Sequence, residues 1–305
     1  MGTLNLADIL GAARRADLAP LVAITALFAL AFGMKAAVFP VNAWLPASYH
    51  TPPAPLSALL GGLLTKVGVY AFVRLLVMLL PAARDVLAPA ITIVAIATML
   101  LGPLSALAET NLRRAIGFLL IGGIGVAISG VLPGQLAVLE GSMLYVVHAI
   151  LTLTALYLVA GLVEQATGTS DIRQMGGLYA ANSWLSLLFL VLILGVAGVP
   201  PFLGFWPKLV FLQGFLAEGA WPLVFALLLN SLLTLIVGAR LWSLIFWRPR
   251  TAPLGKLQGA GGVILLTGTV VMLGLWPSLI VDIAVGAATS LLNPQGYIAA
   301  VGLSP

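Results

Sequence analysis

The sequence contains no cysteine, which excludes disulfides, thiolate metal sites and a cysteine nucleophile. Charge is almost as scarce: Asp, Glu, Lys and Arg make up 8% of the 305 residues, against about 25% in an ordinary soluble domain. With 61% hydrophobic residues and a mean hydropathy of +1.15, a soluble fold is excluded. There is no Walker loop, no HExxH, no GxSxG and no GxGxxG after a strand, so no soluble-type catalytic site is expected. The glycine pairs at 61–62, 122–123 and 176–177 are not phosphate loops; the first two lie in apolar runs, where small residues let helices approach closely. No cofactor and no metal site is expected. The opening MGTLNLADILGAARRADL lacks the short apolar core of a cleavable signal peptide, so the chain is expected to insert by its own spans.

What remains is apolar sequence in long runs. A helix rises 1.5 Å per residue and needs about 20 apolar residues to cross the hydrocarbon, which favours helices over a barrel here. The fold class expected is all-α, a polytopic membrane helix bundle of about eight spans in a single transmembrane domain over 1–305. The spans read as 20–44, 55–80, 86–107, 114–132, 136–163, 180–217, 221–247 and 260–292. The sixth is too long for one crossing and is interrupted by Gly198, Val199, Pro200, Pro201, Phe202, Leu203 and Gly204, which reads as a broken helix. The first is disturbed by Gly33 and Pro40. The net charge of +5 does not indicate nucleic acid, because the basic residues are scattered between apolar runs. With loops assigned alternately, one side takes Arg113, Arg114, Arg173, Arg248, Arg250 and Lys256 and the other takes Arg14, Arg15 and Arg84. The positive-inside rule then turns the loops after spans one, three, five and seven to the cytoplasm.

The informative residues are the basic ones inside spans. Lys66, in LSALLGGLLTKVGVYAFVRLL, sits roughly 15–20 Å from either end of its span, too deep to snorkel. A lysine at that depth costs at least about 2.5–3.5 kcal/mol on insertion scales, so it faces a bundle interior or water; it serves either a transport path or an interhelical contact. Desolvation disfavours a charged amine, a property that a proton carrier needs. Lys35 lies between Gly33 and Pro40, and Lys208 follows the Pro-Pro break, so each broken span has one lysine beside its break. Paired interrupted helices point to a transporter site, since unwound backbone at depth must line a cavity or be buried in protein. For Lys208 the rival reading is a snorkelling anchor. His148, in EGSMLYVVHAILTLTALYLV, can give or take a proton at either ring nitrogen, and Thr152 and Thr154 offer hydroxyls beside it; a structural hydrogen-bonding histidine is the competing reading. His50 reads as solvated or interfacial. None of the nine acids is deep in a span, so Lys35 and Lys66 have no evident carboxylate partner in the sequence.

The stretch FGMKAAVFPVNAWLPASYHTPPAPLSALLGGLLTKVGVYAFVRLL resembles the lysine-bearing helix pair of the antiporter-like membrane subunits shared by respiratory complex I, membrane-bound hydrogenases and Mrp-type multisubunit cation/proton antiporters. ETNLRRAIGF, SDIRQMGGL and GVAGVPPFLGFWPKLVFLQGFL resemble later signatures of that family, and GGLLTKVGVYA and ARLWSLIFW are most similar to the D-type subunit of the Mrp antiporters. The resemblance implies a midplane proton path built from two inverted repeats, each with a broken helix. Residues 20–80 would end the first repeat, 86–247 would form the second, and 260–292 would be a C-terminal helix. By position, Lys35 matches the lysine of the first broken helix, Lys66 the connecting lysine, His148 the central histidine and Lys208 the terminal lysine of the second broken helix. The sequence departs from the family in starting just ahead of the first broken helix, so the family's membrane glutamate and earlier spans lie outside it. Some members also carry a lysine shortly after the central histidine, where Thr152 and Leu153 stand here.

The resulting expectation is a subunit of a multisubunit Na+ or K+/proton antiporter in a bacterial inner (plasma) membrane. Its partners would be other membrane subunits, protons, monovalent cations and lipid, with no nucleic acid. Two alternatives stand: a proton-translocating subunit of a complex I or hydrogenase-like oxidoreductase, and a shortened structural subunit without a path of its own.

Overall fold

The computed structural model describes residues 5–132, 136–249, 255 and 257–301; Arg250 and Lys256, counted above for orientation, lie outside the described residues. Among those described, 82% are helical and there is no strand, only one bridge between Asn111 and Asp171. The helices are α1 (Leu6–Ala13), α2 (Leu18–Ala36), α3 (Trp44–Tyr49), α4 (Ala54–Leu79), α5 (Pro81–Ala108), α6 (Leu112–Ser129) and α7 (Leu136–Thr167). They continue with α8 (Ser183–Ala197), α9 (Phe205–Ala217), α10 (Trp221–Trp247), α11 (Gly261–Leu275), α12 (Ser278–Leu292) and α13 (Gln295–Ala300).

Six of these, α2, α4, α5, α6, α7 and α10, are long and apolar enough to cross a membrane. They correspond to six of the eight runs. The run 180–217 is divided into α8 and α9, with the break between Ala197 and Phe205 where the glycines and prolines stand. The run 260–292, expected as one helix, is instead two helices bent by 81°. Pro277 lies in the bend, where it can supply no amide to continue the first helix.

The two breaks are built alike. α2 ends where Ala37 turns left-handed (φ 65°), with Ala37 N–H donating to Met34 O at 3.1 Å and Val38 N–H to Gly33 O at 2.8 Å. α8 ends where Gly198 does the same (φ 85°), with Gly198 N–H on Gly195 O at 3.1 Å and Val199 N–H on Leu194 O at 3.0 Å. This pairing of crossed bonds around a left-handed residue satisfies the last carbonyls of a helix. Each chain segment then passes a cis prolyl bond, Phe39–Pro40 or Pro200–Pro201.

At membrane depth every backbone group freed by a break needs a partner from within the protein. The Phe39 amide finds Thr98 Oγ1 on α5 at 3.1 Å, and Trp44 Nε1 donates to Met34 O at 2.9 Å. A third such repair lies within α5 itself. Pro103 cannot donate to Met99 O four residues back, and Asn230 Nδ2 of α10 donates to that carbonyl instead at 2.7 Å.

α6 is the central post, with 83% of its most apolar stretch buried, whereas α2 is peripheral at 17%. Small residues allow the close packing expected of the first two glycine pairs. A Cβ added at Gly102 would lie 2.4 Å from the Gly122 amide, one at Gly62 would lie 1.9 Å from Thr154 Oγ1, and one at Gly123 would lie 2.6 Å from Tyr145 Oη.

Candidate functional site: a buried basic row beside two breaks

Lys66 is 6% exposed and lies just beyond a π-helical turn of α4, Leu60–Leu64. Its Nζ donates to Gly61 O at 3.0 Å, and Thr65 Oγ1 donates to the same carbonyl at 3.4 Å. π-Bulges of this kind occur often at functional sites, where they leave backbone groups outside the regular ladder. Lys66 also lines a cavity of about 10 Å3, room for about one water, together with Gly123, Ala127, Tyr145 and Ala149.

Tyr145 connects that cavity to His148. The two rings are edge-to-face with centroids 5.4 Å apart, three residues apart on one face of α7. His148 is 1% exposed; its Nδ1 is 3.1 Å from Thr152 Oγ1, one turn further on. Its other side faces the second break, for a Cβ added at Gly204 would lie 2.9 Å from His148 Nε2 and 2.7 Å from Cε1. The absence of a side chain at Gly204 is what lets the imidazole reach the break. His148 thus meets the Lys66 cavity through Tyr145 on one side and the break that Lys208 caps on the other.

Lys208 sits on α9 and folds back into the break. All three of its donors are used: Nζ bonds Ala197 O at 2.8 Å, Val196 O at 3.2 Å and Ser231 Oγ of α10 at 2.9 Å. Two of those acceptors are carbonyls at the C-terminal end of α8, the negative end of the helix dipole. Ser231 in turn donates to Leu227 O at 3.1 Å. Lys208 is 7% exposed and is therefore an interior residue rather than an interfacial anchor.

Lys35 is placed differently. It is exposed, in the last turn of α2, and has no hydrogen-bond partner among the described residues. Its backbone lies against α4: a Cβ added at Gly68 would be 3.1 Å from the Lys35 carbonyl carbon. Lys35 and Lys208 sit differently about their breaks: Lys35 precedes its break with an exposed side chain, whereas Lys208 follows its break and its amine bonds the last carbonyls of α8. Two further residues of the site, Tyr145 and Ser231, are not among those the sequence singles out. Tyr145 is recoverable from its i, i+3 relation to His148, but Ser231 comes from another helix and carries no local signal. Thr152 meets His148, whereas Thr154 packs on Gly62. His50 is half-buried, with Nδ1 2.8 Å from Pro46 O. Among the described residues no group of three His, Cys, Asp or Glu side chains is clustered for a metal.

Fold and site together define a polytopic helical membrane protein with buried basic residues at a π-turn and at a helix break. Residues 1–234 match the family described as NADH:quinone oxidoreductase/Mrp antiporter, TM, and the chain belongs to that family. It is 34% identical to the D-type subunit of the Na(+)/H(+) antiporter of Bacillus subtilis over 98% of this chain and 62% of that protein. It is 32% identical to the N-type subunit of the NADH-quinone oxidoreductase of Desulforudis audaxviator over 77% of this chain and 48% of that one. Among solved structures, a chain of the Mrp complex from Dietzia sp. superposes with a TM-score of 0.92 at 27% identity, covering 99% of this chain and 65% of that one. A chain of respiratory complex I from Thermus thermophilus gives a TM-score of 0.81 at 26% identity, covering 91% and 60%. The chain thus spans about two thirds or less of the length of these relatives.

Proposed function

We propose that this chain is a subunit of a multisubunit monovalent cation/proton antiporter and that Lys66, His148 and Lys208 hold protons in succession along the membrane midplane. The observation that supports it best is the arrangement itself. Two buried amines and a buried imidazole stand on α4, α9 and α7, each amine held by backbone carbonyls that a π-turn or a helix break makes available. A proton arriving at one amine raises the cost of charge at the next, since like charges in a low-dielectric interior repel strongly. The site can therefore pass a proton onward without permanent carboxylates. Lys35 would be the preceding station, its backbone packed on Gly68 of α4, two residues beyond Lys66.

The similarity to the Bacillus subtilis antiporter protein runs over 98% of the chain, that to the oxidoreductase protein over 77%, which favours the antiporter reading. The alike breaks support an inverted-repeat organisation, with residues 20–80 ending one repeat and 86–247 forming the next. Other membrane subunits as partners, and a bacterial plasma membrane as location, follow from the kinds of protein it resembles. The second reading, a proton-translocating subunit powered by redox partners, uses the same residues and is distinguished by which proteins co-purify.

Growth of an antiporter-deficient bacterial host in high salt tests the proposal, with the complete complex expressed. Lys66→Ala is expected to abolish the rescue while the complex still assembles. Rescue equal to that of the unmodified chain refutes the relay.

A further inference from the structure

Tyr49 and Tyr157 place two phenol hydroxyls inside the bundle, 4% and 0% exposed as residues, and neither hydroxyl has a hydrogen-bond partner among the described residues. Buried polar groups are nearly always paired, with protein or with ordered water. For packing alone phenylalanine would serve better at both positions. The hydroxyls also lie on a line of polar groups that the relay does not use.

The line begins where Arg113, in the first turn of α6, meets Glu164, near the end of α7, with Nε 2.9 Å from Oε1 and side chains 13% and 17% exposed. Arg113 Nη1 also donates to Pro52 O and, at 3.3 Å, to Ser57 Oγ. Tyr157 precedes Glu164 by seven residues, two helical turns or about 10.5 Å along the same face of α7. The Tyr157 hydroxyl faces the same point as α3, the helix that carries Tyr49: a Cβ added at Gly117 would lie 3.2 Å from that hydroxyl and 3.5 Å from Pro46 Cα. The Tyr157 ring is slotted between α4 and α6, for a Cβ at Gly61 would lie 2.6 Å from its Cε2 and one at Gly117 would lie 3.2 Å from its hydroxyl. Gly61 is the residue whose carbonyl holds Lys66 Nζ.

We propose that the Arg113–Glu164 pair, Tyr49 and Tyr157 form a proton access route from the α6 N-terminal face of the membrane to Lys66. The proposal rests on the reading of Lys66 as a proton-holding station. Glu164 receives the proton at the rim. Each phenol then accepts a proton on oxygen from a hydrogen-bonded water and releases its own to the next, so one O–H bond forms as another breaks and no charge stays on the ring. Arg113 orients Glu164 and the Pro52 turn rather than carrying the proton. By the distribution of Lys and Arg, this face is the cytoplasmic one.

The test uses the complete complex in everted membrane vesicles, with proton flux read by a pH-sensitive dye and normalised to assembled complex. The variants are Tyr49→Phe/Tyr157→Phe, Glu164→Gln, Glu164→Asp and Lys66→Ala. The double phenylalanine variant is expected to lose flux about tenfold or more. Its thermal midpoint should be unchanged or higher, because only unpaired hydroxyls are removed. Glu164→Gln is expected to lose flux, and Glu164→Asp to recover most of it. Wild-type flux in the double variant with an inactive Lys66→Ala overturns the route and leaves the relay standing. A fall in flux matched by a fall in thermal midpoint also overturns it, since the hydroxyls would then be structural. Wild-type flux in Lys66→Ala removes the reading on which the route rests.

Discussion

Lys208 satisfies its three donors with Val196 O, Ala197 O and Ser231 Oγ, so its position and its charge are separable by mutation. Ser231→Ala removes one acceptor and leaves the two carbonyls. The expected result is retained exchange with a rate lowered severalfold, whereas Lys208→Ala abolishes exchange in the same vesicle assay. If both variants behave alike, the hydroxyl rather than the amine carries the function. Lys66, His148 and Lys208 are legible in the sequence because charge in an apolar run is conspicuous by its cost. Their partners are not. Gly61 becomes an acceptor through a π-turn that no residue type announces, and Ser231 and Tyr145 matter through their neighbours rather than their type. The exposure of the Lys35 side chain is not legible either, because a position beside a break does not say whether a side chain turns into the bundle or away from it.

The two breaks are the elements that make the site, and their left-handed residues differ in an instructive way. Gly198 has no Cβ, and one placed there would lie 2.6 Å from Lys208 Cδ, whereas the first break tolerates Ala37 at a similar φ. Gly198→Ala is expected to cost about 1–2 kcal/mol of stability from the left-handed backbone alone. It should also lower exchange by displacing Lys208, measured as a lower thermal midpoint and slower flux. Ala37→Gly should be close to neutral, because the relief of strain is offset by the freer unfolded chain. Asn230→Leu keeps the branching of the side chain but leaves Met99 O unpaired beside Pro103, and should cost about 1–3 kcal/mol in detergent denaturation. The breaks are readable from Gly and Pro, and so is the division of the run 180–217. The 81° bend in the last run is harder to read, because a single Pro277 in an apolar run can equally mark a kink within one span.

The loop that joins α7 to α8 has a pH dependence of its own. Asp171 accepts hydrogen bonds from the Arg173 side chain and backbone amide, which hold its carboxyl below the usual carboxylate range. A depressed value means that the stabilisation is complete above the ordinary carboxylate pKa and is lost as pH falls through the depressed one. Protection of the Arg173 amide, its exchange relative to the unstructured rate at the same pH, is therefore expected to fall on acidification through that range, and Asp171→Asn to flatten the response. Unchanged protection down to strongly acidic pH would count against this latch.

At the scale of the whole molecule, α6 stands at the centre and the basic row runs past it from α4 through α7 to α9. The composition of the chain makes the membrane bundle legible, and the motifs around Lys66 and Lys208 make the family legible. The run of contacts from the Lys66 cavity through Tyr145 to His148 and the second break requires the folded chain. The most direct measurement of the account is proton flux in proteoliposomes containing the purified complex with Lys66→Ala, Lys208→Ala or His148→Ala. Each substitution is expected to abolish cation-driven proton movement in a fully assembled complex. Wild-type flux with either lysine removed would contradict it.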